Sequence, residues 1–534
     1  MSDTRRAARR RPFLLLVLVL VLVAGAGTAA WRLLLQGEEK DARAVAVDAF
    51  LDAWASGDAP AAGRATSDPA RATARLTAHA KDLPGARFEL RRGERDGGRS
   101  SGRDGDLYPF RVTLHLKGGD RFTYDSVAPL VRTGDDWRVA WSPAVVHPRL
   151  TDGSKLAATT ESRRAEILSA DGTPLDGLAP ALVGAPGTSG LHYRYEKQLA
   201  GRAASGVAIV GTSTGRTLAT LHTSKGDGGS PVRTTLDKST QKAAEAALRG
   251  LSKNAAIVAV RPSTGEIVAA ADNPPTGENR ALRGQYPPGS DFKVVTAAAL
   301  IGGGMSTSTP TPCPKYVTVN GQRFENQDLF ELPEGATFAD DFAHSCNTGI
   351  IAQRDRLTPS SLTDTAKAFG IGQSWDVGAV TFDGSVPVAT SANDQAAAMI
   401  GQGRVQASPL VMASVAATVK DGTFRQPVLV PAAVKQRAKA PVRLEPPVAS
   451  QLRTLMRAVV TEGSGKALRG MSGEPGAKTG TAEYGDATPP RTHAWFIGYR
   501  GDLAFAVLIE DGGSGGKDAG PVAAAFLKGV EERR

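Results

Sequence analysis

Ser290 and Lys293 stand three residues apart in YPPGSDFKVVTAAALI, Tyr286 to Ile301, directly after a Pro-Pro-Gly turn. That turn cannot continue a helix, whereas Val294, Ala297, Leu300 and Ile301 recur at helical spacing, so a helix is predicted to begin at or near Ser290. Residues three apart on a helix share a face, so the Ser290 hydroxyl and the Lys293 amine can meet, and a buried amine can take the serine's proton. The pair is a nucleophile beside a base. Spacing alone is a weak signal, because Ser239/Lys242 and Ser514/Lys517 repeat it.

Two further groupings follow in the chain. Lys478-Thr479-Gly480-Thr481 contains the one Lys-Thr-Gly of the sequence and lies on a predicted strand. Its amine and hydroxyls are donors, and its glycine lets a ligand come close to the backbone, which suits a carboxylate-bearing substrate. Between helix and strand, HSCNTGII supplies Ser345 and Asn347 as a Ser-x-Asn. Ser252/Asn254 and Ser391/Asn393 share that spacing, but the first pair precedes the nucleophile and the second reads as a helix cap.

The elements around these residues are legible in outline. VRTTLDKSTQKAAEAALRG opens a helix with Asp237 as N-cap and Gly250 as stop, and Ser239 and Lys242 fall on its solvated face. AAIVAV, the turn RPSTGE and IVAAAD read as a hairpin. Helical segments are predicted at 345–356, 391–400 and 448–461. The strand candidates GAKTGTAEY, HAWFIGYR and DLAFAVLIED come next, then a last helix. Two strands early and three late predict one five-stranded antiparallel sheet assembled from both ends of a domain, 231–534, and covered by helices.

The rest of the 534-residue chain divides into smaller parts. Residues 1–12 are a basic tail, and Phe13 to Trp31 form an apolar run of nineteen residues, long enough for a hydrocarbon core of about 30 Å. A transmembrane anchor is expected over 13–35, with the tail cytoplasmic and the remainder extracytoplasmic. A cleavable signal peptide is the competing reading, and the length of the run favours the anchor. Over 41–150, a helix with Val47, Phe50, Leu51 and Trp54 on one face precedes alternating strands such as FRVTLHL, a small α+β domain without a catalytic grouping. Residues 151–230, rich in Gly, Ser and Thr, read as a β-rich linker or pedestal module. The overall class is α+β and multidomain.

Composition narrows the chemistry. The formal charge is +10, but Arg5, Arg6, Arg9, Arg10 and Arg11 belong to the tail, and no basic run with interleaved aromatics follows, which argues against nucleic acid. The seven histidines show no metal-ligand spacing, so neither a metal nor a cofactor is expected. Cys313 and Cys346 are the only cysteines, and spacing does not decide between one disulfide and two separate thiols.

Order and interval now matter: Ser345 lies 55 positions after Ser290, and Lys478 lies 131 after Asn347. Ser-x-x-Lys, Ser-x-Asn and Lys-Thr-Gly occur together in β-lactamases and penicillin-binding proteins. Through PPGSDFKVVTAAAL, SCNTG, GQGRVQASPLVMA, AKTGTAEYG and HAWFIGYRG, the segment from about Val232 resembles the transpeptidase domain of the monofunctional, class B penicillin-binding proteins. DDWRVAWSPAVVHPRL resembles the nuclear-transport-factor-2-like domain that precedes it in some of them.

The resemblance implies a peptidoglycan D,D-transpeptidase. Ser290 would attack the penultimate D-alanine of a stem peptide, Lys293 would be the base, and Ser345 would relay a proton to the leaving nitrogen. Asn347 would bind the substrate amide, Lys478, Thr479, Gly480 and Thr481 would bind the terminal carboxylate, and the N–H groups of Ser290 and Thr481 would form the oxyanion hole. A second stem peptide would accept the acyl group, β-lactams would acylate Ser290, and a membrane glycosyltransferase partner would make the glycan. The rivals are a β-lactamase or D,D-carboxypeptidase, with water as acceptor, and a β-lactam-binding sensor. Asp291, where relatives often carry Thr, and Cys346, inside the Ser-x-Asn, are points at which this chain stands apart.

Overall fold

The structure is a computed structural model, and it describes residues 42–93, 107–117, 119–161, 163–487 and 489–533. The apolar run at 13–31 lies outside them. Among the described residues no helix is long and apolar enough to cross a membrane.

The chain forms two compact units. In the first, 42–55 is helical and buries Val47, Phe50, Leu51 and Trp54, the face that the periodicity predicts. Helices Ala59–Arg64 and Pro69–Asp82 follow, each with an aspartate N-cap, Asp58 and Asp68, accepting from a backbone N–H of the first turn. Strands β1 (Arg87–Arg92), β2 (Leu107–His115), β3 (Arg121–Thr133) and β4 (Asp136–Val139) then form an antiparallel meander in that order. Phe110, Val112 and Leu114 of β2 point into the core, as their period of two requires.

Residues 151–230 are not a single module. Strand β5 (Ser154–Glu161) belongs to the first unit, the chain then leaves to form β6 (Ile167–Leu168) in the second, and it returns with β7 (Ala204–Gly211) and β8 (Thr217–Thr223). Strands β5, β7 and β8 make one antiparallel sheet, and Leu156, Val207 and Ile209 join the first unit's core. Residues 164–200 join the second unit because Leu175, Leu182, Leu191 and Leu199 pack into its core. There β6 pairs in parallel with β9 (Val232–Arg233).

The second unit is built on a five-stranded antiparallel sheet assembled from both ends of the segment. Strands β10 (Ala255–Val260) and β11 (Ile267–Asn273) come early. A small hairpin, β12 (Tyr316–Val319) and β13 (Gln322–Glu325), lies apart, and β14 (Gly476–Tyr484), β15 (Arg491–Arg500) and β16 (Leu503–Ile509) come late. The order is β11-β10-β16-β15-β14, so β14, which carries Lys-Thr-Gly, is an edge strand. Every residue of β10 and β16 is buried, as expected of central strands covered on both faces. Helices Lys238–Leu248 and Gly520–Glu532 pack closely, a Cβ on Gly529 standing 3.2 Å from that of Ala243.

Candidate active site

The turn that carries Ser290 is held against β14 by glycines. Ser290 lies in a 3-10 turn, Gly289–Phe292, that runs into the α-helix Lys293–Gly302, and that helix is buried on every side from Lys293 to Ile301. Gly289 has φ of 54°, and a Cβ there would lie 2.6 Å from Thr481 O. A larger residue would push Ser290 away from the strand. Gly289 N donates to Gly401 O at 2.9 Å, and Trp495 Nε1 donates to Pro287 O at 3.1 Å, which pins the turn from behind. Tyr286 hydrogen-bonds through its hydroxyl to Glu510, which also binds Arg280 and Asn254.

Ser345 and Asn347 occupy a corner between two helices. Ser345 ends the helix Phe338–His344 in a left-handed conformation with φ of 64°, and Asn347 opens the helix Asn347–Ala352. Such a backbone costs a non-glycine residue about 1–3 kcal/mol, and it turns the Ser345 hydroxyl and the Asn347 amide toward the same amine. Lys293 Nζ donates to Ser345 O at 2.8 Å, Ser345 Oγ at 3.3 Å and Asn347 Oδ1 at 2.7 Å. Asn347 Nδ2 donates in turn to Glu325 O. Among the described residues no hydrogen bond joins Ser290 Oγ to Lys293, whose donors all go to the corner.

From the strand side, Lys478 Nζ donates to Ser345 Oγ at 2.9 Å and to Thr479 O at 2.8 Å. Both lysines therefore converge on one hydroxyl. Thr479 Oγ1 lies 2.6 Å from Ser464 Oγ, and Thr481 Oγ1 donates to Gln327 Oε1 at 3.2 Å and accepts from Gly515 N. Gly480 has no room for a side chain, since a Cβ would lie 2.9 Å from Pro288 O and 3.0 Å from the Asp291 carboxyl.

Four buried ionisable groups set the electrostatics. Burial draws the Lys293 amine well below the usual lysine range, Lys478 pushes it further, and Asp341 opposes both. Burial lowers Lys478 to about 8, with Asp291 acting against it. The Asp291 side chain is buried beneath β14 at Gly480 rather than turned to solvent, and that burial holds its carboxyl well above the usual range, with Lys478 opposing. Burial likewise raises Asp341 to about 7.

Cys313 and Cys346 form a disulfide that ties the Ser345–Asn347 corner to the irregular segment preceding β12. Among the described residues, Cys313, Asp341 and Cys346 are the one group with metal-ligand proximity, and its two sulfurs are already bonded to each other. Buried Asn326 completes the support: its Oδ1 accepts from Asn347 N at 2.8 Å and from Thr348 N at 3.1 Å. The repeated spacings have structural uses elsewhere. Ser239 donates to the N-cap Asp237, Asn254 binds Glu510, Ser391 caps its helix, and Lys517 faces Asp328. Asn326, Gln327, Ser464 and Gly515 carry no motif that would have singled them out. Asp341, one helical turn before Ser345, likewise lies outside the motifs.

The family model described as "Penicillin binding protein transpeptidase domain" matches residues 255–528, more than half of the chain. The chain belongs to the penicillin-binding protein transpeptidases. A second model, "NTF2-like N-terminal transpeptidase domain", matches residues 42–154 of this penicillin-binding protein. It is 32% identical over 387 residues to the peptidoglycan D,D-transpeptidase PbpA of Mycolicibacterium smegmatis, covering 59% of this chain and 75% of the relative. With PbpA of Mycobacterium tuberculosis H37Rv the identity is 29% over 383 residues, with the same coverage. Among solved structures, the ceftriaxone acyl-enzyme complex of M. tuberculosis penicillin-binding protein A superposes with a TM-score of 0.58 at 25% identity, covering 69% of this chain and 98% of that one.

Proposed function

We propose that this penicillin-binding protein is a membrane-anchored peptidoglycan D,D-transpeptidase in which Ser290 is the nucleophile. The observation that carries the assignment of roles is the sharing of Ser345 Oγ by Lys293 Nζ and Lys478 Nζ, at 3.3 and 2.9 Å, which links all three motifs in one hydrogen-bonded chain beside Ser290.

In the reaction, neutral Lys293 takes the Ser290 proton as Oγ attacks the carbonyl carbon of the penultimate D-alanine. Negative charge on the carbonyl oxygen falls to the backbone N–H groups of Ser290 and Thr481. Removing one such donor typically costs about 2.7–4 kcal/mol of transition-state stabilisation. The tetrahedral intermediate collapses, the C–N bond breaks, and Ser345 passes the proton to the departing amine of D-alanine. Lys478, Thr479 and Thr481 hold the substrate carboxylate, and Asn347 its amide. An amine of a second stem peptide then attacks the ester, restoring Ser290 and closing the cross-link. The length of the apolar run at 13–31 supports an anchor that would hold this chemistry on the outer face of the membrane, where a glycosyltransferase partner would supply glycan.

Fluorescent penicillin tests the reading on the full chain. Covalent labelling of the wild type and none of Ser290→Ala is expected. Label that survives the substitution, or that moves to Ser239, would sink it. Rapid loss of label with hydrolysed drug accumulating would mark a hydrolase instead.

A further inference from the structure

Behind the Ser345–Asn347 corner lies a carboxyl group to which the acyl-transfer scheme gives no task. Asp341 sits one turn before Ser345 on the helix Phe338–His344. It is fully buried, and among the described residues neither of its carboxyl oxygens has a hydrogen-bond partner. Gly349 makes its space: a Cβ there would stand 2.0 Å from Asp341 Oδ2. The sulfurs of Cys313 and Cys346 and a carboxyl oxygen of Asp341 lie within 4.8 Å of one another, so the group is set inside the corner itself. A buried carboxylate without hydrogen bonds needs a cation or a proton. Lys293 is the cation at hand, resting on Ser345 O at 2.8 Å and Asn347 Oδ1 at 2.7 Å, the two residues that flank Cys346.

We propose that Asp341 is a positioning residue for acyl transfer, one whose charge sets how readily Lys293 gives up its proton. The proposal rests on Lys293 being the base of that reaction. The titratable groups around the pair are few. Asp340, beside Asp341, is engaged with Thr337 N. Lys293 comes from the nucleophile helix, Lys478 from β14, and Asp291 faces Lys478 from the 3-10 turn. The neighbouring disulfide does not titrate.

Asp341 and Lys293 compete to lose the first proton. Burial raises the Asp341 carboxyl to about 7, against the pull of Lys293, while burial and Lys478 depress Lys293. Their titrations are therefore coupled. When Asp341 loses the proton, Lys293 stays an ammonium and Ser290 has no base. When Lys293 loses it, the site is competent. A neutral residue at 341 leaves only the second course.

The test is the pH profile of the second-order acylation constant with fluorescent penicillin, between about pH 5 and 9, for the full wild-type chain, Asp341→Asn and Asp341→Ala. Each profile is normalised to its own alkaline plateau. Both variants are expected to shift the acid limb toward lower pH by on the order of one unit. A structural role alone would lower the plateau and leave the limb in place, and that result in both variants overturns the proposal. A wild type that never becomes labelled overturns the acyl-transfer reading beneath it.

Discussion

Gly349 and Asp341 are fitted to one another: the absent side chain of the glycine is the space that the buried carboxyl fills, 2.0 Å from the position of a Cβ. Gly349→Ala is expected to destabilise the second unit by about 1–3 kcal/mol through overpacking. Adding Asp341→Ala should restore most of that loss. Denaturant unfolding of the four chains in a double-mutant cycle measures the coupling, and additive effects would contradict the fit.

Asp291 acts on the other lysine. Its buried carboxyl raises Lys478, which burial otherwise draws down to about 8, so Asp291→Thr should let Lys478 lose its proton at a lower pH. The noncovalent affinity for a carboxylate-bearing β-lactam should then begin to fall at lower pH than in the wild type. Stability gives a second reading of the same change. Burial sets the folded carboxyl's pKa well above its unfolded value of about 4, so the wild type loses stability as pH rises from there toward the folded value, where Asp291 ionises and begins to hold Lys478 charged, and the variant should not show that loss. An unchanged alkaline limb of binding would contradict the first expectation.

Much of this site is written in spacing. Ser290, Ser345 and Lys478 sit in short motifs, and the structure brings them together because the sheet is closed by strands from both ends of one segment, which the clusters of β-branched and small residues foreshadow. What lay beyond reading was set by long-range packing. Nothing local distinguishes residues 164–200 from the strands on either side, yet their leucines find the larger core. Asp291 has the look of a first-turn acid turned to solvent, and only its seat beneath Gly480 shows otherwise. The disulfide needed three-dimensional proximity to be decided.

That disulfide, Cys313–Cys346, closes a loop of 33 positions. Replacing both cysteines with serine should cost about 3–4 kcal/mol by chain-entropy reasoning, and it should slow acylation because Cys346 lies between Ser345 and Asn347. Unfolding midpoints and labelling rates of the double variant check both. Acylation at the wild-type rate would show that the corner keeps its geometry without the bond.

In the first unit, His79 packs against Phe88 and Trp54, with ring centroids 5.2 and 6.3 Å away, and neither ring nitrogen is hydrogen-bonded among the described residues. Burial, then Arg75, lowers its pKa to about 4, with Asp82 opposing. The unfolded chain binds this proton below about pH 6.5, so stability is present above that pH and drains away as pH falls toward 4, by about 3 kcal/mol in all. His79→Leu should flatten the dependence, as read from denaturant midpoints of the full chain at pH 7 and pH 5. Parallel curves for the two chains would contradict it.

The central claim, that Ser290 carries the acyl group, is tested most directly by peptide mapping of the penicillin adduct by mass spectrometry. The added mass should fall on the peptide containing Tyr286–Lys293, with fragmentation placing it on Ser290. An adduct on any other residue, or an unmodified Ser290 in a chain fully labelled by the drug, would contradict the account.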